Sequence, residues 1–224
     1  MKFDGIVIGG GPAGMFAAIT AAQNGSQVLL LEKNSRLGKK LLITGKGRCN
    51  VTNNCSAQEV LQNTPRNGRF LFSAMAAFPP EKTISFFETN GCPLKTERGN
   101  RVFPLSDRSQ SVLDCLCDAL RRMPVVVREE TVKEILTQDG HVTGVRTNKA
   151  NYTASWVILA TGGISYPATG STGDGYAMAQ ALGHTIVPQE GNLVPLESGD
   201  ADCAEMQGLS LRNVGVKLVD ARNK

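Results

Sequence analysis

The chain has 224 residues, 41% hydrophobic and 20% charged, with a net charge of +4. That length carries one large domain with a real core, or one and a half. The ordinary composition excludes collagen-like and disordered chains, and no apolar run is long enough to span a bilayer.

Residues 4–8 read as a continuous apolar strand, suited to the buried centre of a parallel sheet. The turn Gly9-Gly10-Gly11-Pro12-Ala13-Gly14 follows. Residues 13–24 read as an Ala-rich helix stopped at Gly25. Residues 27–31 form a second strand, and Glu32 ends it. Strand, glycine turn, helix, strand and acid is the order of a dinucleotide-binding βαβ unit. Gly9 permits the tight turn, Gly11 lets the backbone approach a pyrophosphate, and Gly14 lets the helix pack on the strand. Glu32 stands eighteen positions past Gly14, near the spacing of about 20 for a ribose-binding acid. The plainer alternative is a glycine turn in an ordinary βαβ unit.

Residues 33–56 read as a long loop rich in Gly, Asn and Lys, anchored by Leu41-Leu42-Ile43. Lys39, Lys40, Lys46 and Arg48 cluster in it, to serve phosphates or as a solvated face. Residues 57–122 read as mostly helical. Helices are expected near 69–77, 81–89 and 108–123, the last capped by Ser106 or Asp107. A short strand pair is expected in 95–104. Val125–Arg128 reads as a strand. Val132–Thr137, His141–Thr147 and Tyr152–Ser155 then read as an antiparallel meander, turned by Asp139-Gly140. Trp156–Ala160 reads as another buried strand, ending in Thr161-Gly162-Gly163. A helix is expected near 174–182, stopped by Gly183, and a β-like run at Val214–Val219.

The six cysteines, Cys49, Cys55, Cys92, Cys115, Cys117 and Cys203, form no C-x-x-C pair, so no redox couple or zinc knuckle is indicated. His141 and His184 have no neighbours that suggest a metal or a nucleophile–base pair. The first strand starts almost at once, which predicts no signal peptide, a cytoplasmic location and reduced thiols.

The landmarks together resemble the HI0933-like (YhiN) bacterial flavoproteins, the group of BaiN-like and aminoacetone-oxidase-like oxidoreductases. The resemblance rests on the first glycine turn, 37–42, Gly47-Arg48-Cys49-Asn50-Val51-Thr52-Asn53, Arg101-Val102-Phe103-Pro104, Ala160-Thr161-Gly162-Gly163 and residues 165–175. It implies an α/β, Rossmann-like FAD-binding domain of the glutathione-reductase type. Its parallel sheet is crossed by an antiparallel meander. Residues 1–188 would form that domain, with a helical excursion near 57–123. Residues 189–224 would begin an inserted substrate-side β domain. Family members are roughly twice as long, so the chain is expected to be C-terminally truncated, its missing half lost or carried on a second chain.

The resemblance implies FAD as cofactor, NAD(P)H as a transient reductant, a small-molecule substrate, and neither nucleic acid nor membrane as partner. Gly9, Gly11, Pro12, Ala13 and Gly14 would meet the pyrophosphate, and Glu32 the adenosine ribose. Lys33 lies beside the ribose, or would suit a 2′-phosphate in an NADP-binding alternative. Val132 would meet the adenine through its backbone. Ala160, Thr161 and Gly162 end a parallel strand, where ligands of such sheets bind. Lys40 and the loop holding Gly47, Arg48 and Asn50 would approach the pyrophosphate or flavin ring. Arg48 and Asn50 are the catalytic candidates, Arg48 by stabilising an anionic reduced flavin. Alternatively Arg48 ties the loop to a carboxylate, and Asn50 and Asn53 are turn residues. Asp174 is expected to cap its helix. Cys49 is a thiol acidified by Arg48 or a small buried residue. The function expected is an FAD-dependent oxidoreductase. The rivals are a non-catalytic FAD-binding or interaction protein and an NAD(P)-dependent dehydrogenase.

Overall fold

The structure, a computed structural model, describes residues 2–191, 197–209, 214, 215, 217 and 219. The chain separates into two compact units, residues 1–186 and 187–224. The first is built on a four-stranded parallel sheet of β1 (Gly5–Ile8), β2 (Val28–Glu32), β6 (Val125–Glu129) and β10 (Trp156–Leu159), in the order β10-β1-β2-β6. Gly5 pairs with Val28 on one side and Trp156 on the other.

The two-residue period of these strands divides their side chains between two layers. Val7, Val28 and Leu30 pack with Met15, Ala18 and Ile19 of α1 (Pro12–Gln23) and with Val112, Leu113 and Leu116 of α6 (Ser109–Arg121). Ile6, Ile8, Leu29 and Leu31 pack with Val132, Ile135, Val145 and Tyr152 of the meander. That meander is β7 (Val132–Gln138), β8 (His141–Thr147) and β9 (Asn151–Thr153). Asp139 and Gly140 both take positive φ at its first turn, as the Asp-Gly pair predicts. The result is the Rossmann-like α/β architecture expected, with the meander covering one face of the sheet.

Several elements depart from the sequence reading. The expected loop at 33–56 holds a helix, α2 (Lys39–Ile43), and a short strand, β3 (Thr52–Asn53). Five residues are too few to show periodicity, yet Leu41 is buried and anchors the segment. β3 adds to the expected hairpin of β4 (Leu94–Glu97) and β5 (Arg101–Pro104), giving the order β3-β5-β4. The helical excursion contains α3 (Ala57–Gln62), α4 (Phe72–Ala77) and α5 (Pro80–Thr89). Neither Ser106 nor Asp107 caps α6; Arg108 stands there without a side-chain cap. β10 is not fully buried: Ile158 and Leu159 are 38% and 37% exposed. It is the edge strand of the described sheet, so β1 flanks it on one side only.

The second unit holds α7's successor α8 (Ala201–Glu205), while α7 (Asp174–Ala181) belongs to the first. The β-like run at Val214–Val219 falls partly outside the described residues. Among the described residues no helix is long and apolar enough to cross a membrane.

Candidate functional site

A cavity of about 220 Å³ opens at the carboxyl ends of β1, β2 and β10. The sheet order reverses there between β1 and β10, which is where open α/β sheets bind ligands. Gly9, with φ +108°, makes the sharp turn out of β1. A Cβ on Gly9 would stand 2.4 Å from the Ala160 carbonyl oxygen, so glycine lets the turns after β1 and β10 meet. A Cβ on Gly14 would lie 1.8 Å from the Gly9 carbonyl oxygen, so α1 sits on its strand only because that atom is missing. Gly11 differs: a Cβ there would meet nothing within 4 Å. It points into open space beside the start of α1, where no side chain caps the leading N–H groups.

Glu32 closes the turn from the other side. Its carboxylate accepts from the Gly10 N–H at 2.7 Å and from the Asn34 N–H at 2.8 Å. Glu130 is buried on the meander side of the cavity. Its carboxylate accepts from the Thr147 hydroxyl at 2.6 Å and the Tyr152 hydroxyl at 2.8 Å. Burial first, then the hydrogen bond to Glu130, pushes the Tyr152 hydroxyl pKa up, so the phenol stays protonated.

The residues 165–174 lie against the loop 33–40. Lys33 Nζ donates to Thr172 Oγ1 at 2.6 Å and meets Asp174 Oδ2 at 2.7 Å. Asn34 Nδ2 donates to the Thr169 carbonyl at 3.3 Å, and Lys40 Nζ to Ser165 Oγ at 3.4 Å. Asp174 does not cap α7, as expected of it; Gly173 is the N-cap, and the carboxylate goes to Lys33 and Thr172.

Of the expected site residues, Gly9, Gly11, Pro12, Ala13, Glu32, Lys33, Lys40, Val132, Ala160, Thr161 and Gly162 line this one cavity. Asn34, Lys39, Glu130, Thr169–Ser171, Asp174 and Met178 join them. Gly14 stands behind the wall as a packing residue. Gly47 and Arg48 line no wall of it. Arg48 instead donates through Nε to Asp107 Oδ1 at 2.8 Å and through NH1 to Glu97 Oε2 at 3.2 Å. Its guanidinium lies 4.1 Å from the Phe103 ring centre. The hydrogen bonds to Glu97 and Asp107 raise its pKa; the bond from Arg48 lowers that of the Glu97 carboxyl, and the bonds from Lys95, then Arg48, lower that of Asp107. This is the loop tie that stood as the alternative for Arg48.

A second, mostly apolar cavity of about 270 Å³ abuts the first through Pro12 and Lys40. Phe16, Leu41, Cys49, Asn50 and Phe87 help to line it. With its amide assigned so that the nitrogen faces these acceptors, Asn50 donates to the Thr52 carbonyl at 2.9 Å and the Val102 carbonyl at 3.1 Å, which ties the turn to β5. Cys49 is not acidified by Arg48: burial pushes its thiol pKa up, against a smaller opposing bond from Thr44. Among the described residues no cluster of His, Cys, Asp and Glu fits a metal.

The family model for the HI0933-like protein Rossmann domain matches residues 3–223. The chain is 39% identical over 197 residues to the 3-dehydro-bile acid delta(4,6)-reductase of Clostridium scindens, covering 85% of this chain and 46% of that protein. It is 31% identical over 211 residues to the ribosomal RNA dihydrouridine synthase of Escherichia coli, covering 93% of this chain and 52% of that one. The chain thus spans about half the length of these curated relatives. Among solved structures, Sdh1 of Mycobacterium smegmatis in complex with UQ1 shares the fold, with a TM-score of 0.62, 24% identity, and coverage of 81% of this chain and 38% of that one.

Proposed function

The chain belongs to the HI0933-like family, and on that footing we propose that its groove holds FAD and that the whole protein is an FAD-dependent oxidoreductase. The observation that carries this is the open space at Gly11, set against an uncapped helix start and the ammonium groups of Lys39 and Lys40. A pyrophosphate needs that combination: close backbone approach, free N–H groups and positive charge. Glu32 would take the adenosine ribose and the Val132 backbone the adenine. Lys40 and Asn50, beside the second cavity, would stand nearest the flavin ring.

When bound, the flavin would supply hydride transfer. The residues of this chain would bind and orient it. Lys39 and Lys40 would balance the pyrophosphate charge, and the Glu130 hydroxyl contacts would hold the strand that meets the adenine. Arg48 would act through position, keeping the turn at Cys49 and Asn50 fixed. We propose NADH or NADPH as the transient electron donor, and reduction of the substrate as the direction, since one relative is named a reductase. Residues 189–224 would belong to a substrate-side domain.

The test is an absorbance spectrum of the purified chain, mixed with FAD and desalted. Retained bands near about 370 and 450 nm are expected. A colourless protein would overturn FAD binding by this chain.

A further inference from the structure

We propose that Asp174 makes the groove selective for a dinucleotide whose adenosine ribose carries a free 2′-hydroxyl, by neutralising the Lys33 ammonium at the groove wall. This rests on the dinucleotide reading above and adds a residue that sets its specificity.

Three lysines line the groove, and they are not equivalent. Lys33 is ion-paired: its Nζ meets Asp174 Oδ2 at 2.7 Å and Thr172 Oγ1 at 2.6 Å. Thr172 in turn donates to Asp174 Oδ1 at 2.7 Å, so threonine and aspartate form one clamp on the ammonium. Among the described residues, Lys39 hydrogen-bonds only neutral oxygens, those of Asn34 and Ala168, at 3.4 Å each. Among the described residues, Lys40 hydrogen-bonds only Ser165 Oγ, also at 3.4 Å. Two ammonium groups therefore remain for a diphosphate, and the third is already neutralised.

The neutralised lysine is the one that follows Glu32 directly. A ribose 2′-phosphate would bring up to two further negative charges. It would meet the Glu32 carboxylate, which accepts but cannot donate hydrogen bonds, and the Asp174 carboxylate beyond it. Lys33 is the cation placed to offset that charge, and Asp174 has claimed it. The clamp is in force at neutral pH. The Lys33 hydrogen bond, with that from Thr172, holds the Asp174 carboxyl below its ordinary pKa, so it stays ionised. The Lys33 and Asp174 side chains are 27% and 37% exposed. The clamp is therefore open to exchange with solvent, and a single substitution suffices to release it.

The experiment measures the affinities of ADP-ribose and 2′-phospho-ADP-ribose for the full chain by calorimetry. The two probes differ only in the 2′-phosphate, and the ratio of their dissociation constants is the readout, so losses common to both cancel. The parent chain is expected to prefer ADP-ribose at least tenfold. Asp174→Asn is expected to shrink that ratio at least threefold, and adding Lys33→Met to restore it. An unchanged ratio in Asp174→Asn overturns the proposal. Should that variant fail to fold, Lys33→Met alone decides: an unchanged ratio supports the clamp, and a widened one shows that Lys33 already serves the phosphate. Binding of neither probe to the parent chain would overturn the dinucleotide reading itself, whereas tight ADP-ribose binding with no preference would overturn only the role of Asp174.

Discussion

Two glycine-rich turns of this molecule carry basic residues beside them and use them in opposite ways. The turn at residues 9–14, with the lysines of 33–40 across from it, leaves Lys39 and Lys40 without an acidic partner among the described residues. The turn at 45–50 saturates one of its cations: Arg48 is held by two carboxylates and an aromatic ring. Charge left open at a cavity wall is available to a ligand. Charge closed on internal partners fixes a loop. A basic residue beside a glycine turn thus takes its role from what the rest of the chain supplies to it.

Substitutions can break or sharpen this contrast. The largest effect is expected from Gly14→Val, because the new Cβ overlaps the Gly9 carbonyl. Overpacking of this kind costs about 3 kcal/mol, and a melting curve should fall by roughly 6–12 °C. Gly11→Val should move the melt far less, since its Cβ meets open space and the loss is that of a glycine N-cap. It should still weaken FAD binding at least tenfold, about 1.4 kcal/mol. Unchanged FAD titrations in this variant would remove the pyrophosphate from that space. The smallest global effect belongs to Arg48→Met. Amide exchange in residues 44–53 should quicken while the melting temperature barely shifts.

The Arg48 network also fixes a pH dependence. Glu97 and Asp107 have lowered folded pKa values, so their contribution is present above the ordinary carboxylate pKa of about 4. It is lost as pH falls through the lowered values. Exchange in 44–53 should therefore rise in that acid range in the parent chain. In Arg48→Met the added acid response should shrink, and an equal rise in both proteins would dissolve the network as its cause.

The βαβ unit was legible in the sequence because its determinants are local. Gly9, Gly11, Gly14 and Glu32 lie within 24 residues, and each spacing has one steric reason. The α3 helix also has a local signature: Ser56 and Glu59 form a capping box, with Ser56 Oγ accepting from the Glu59 N–H at 3.2 Å. The reading of 57–122 as broadly helical passed over it. What stayed illegible is pairing at long range. Asp107 stands 59 residues from Arg48, and Asp174 stands 141 from Lys33. Both aspartates sit next to helix starts, where the local rule makes them caps. Tertiary partners took both carboxylates instead.

The pairing of β1 with β10 joins Gly5 to Trp156, across most of the first unit. Half of the groove wall is encoded at the start of the chain and the other half some 150 residues later. A nascent chain therefore completes the first turn early but cannot present a ligand site until the meander and β10 have emerged and closed on β1. Contacts of such sequence separation form late and slowly in folding. A ligand that bridges the two halves would stabilise the closed chain by mass action. Refolding yield should accordingly depend on how much cofactor is present when β10 arrives, so that supply of the small molecule and maturation of the protein become one process.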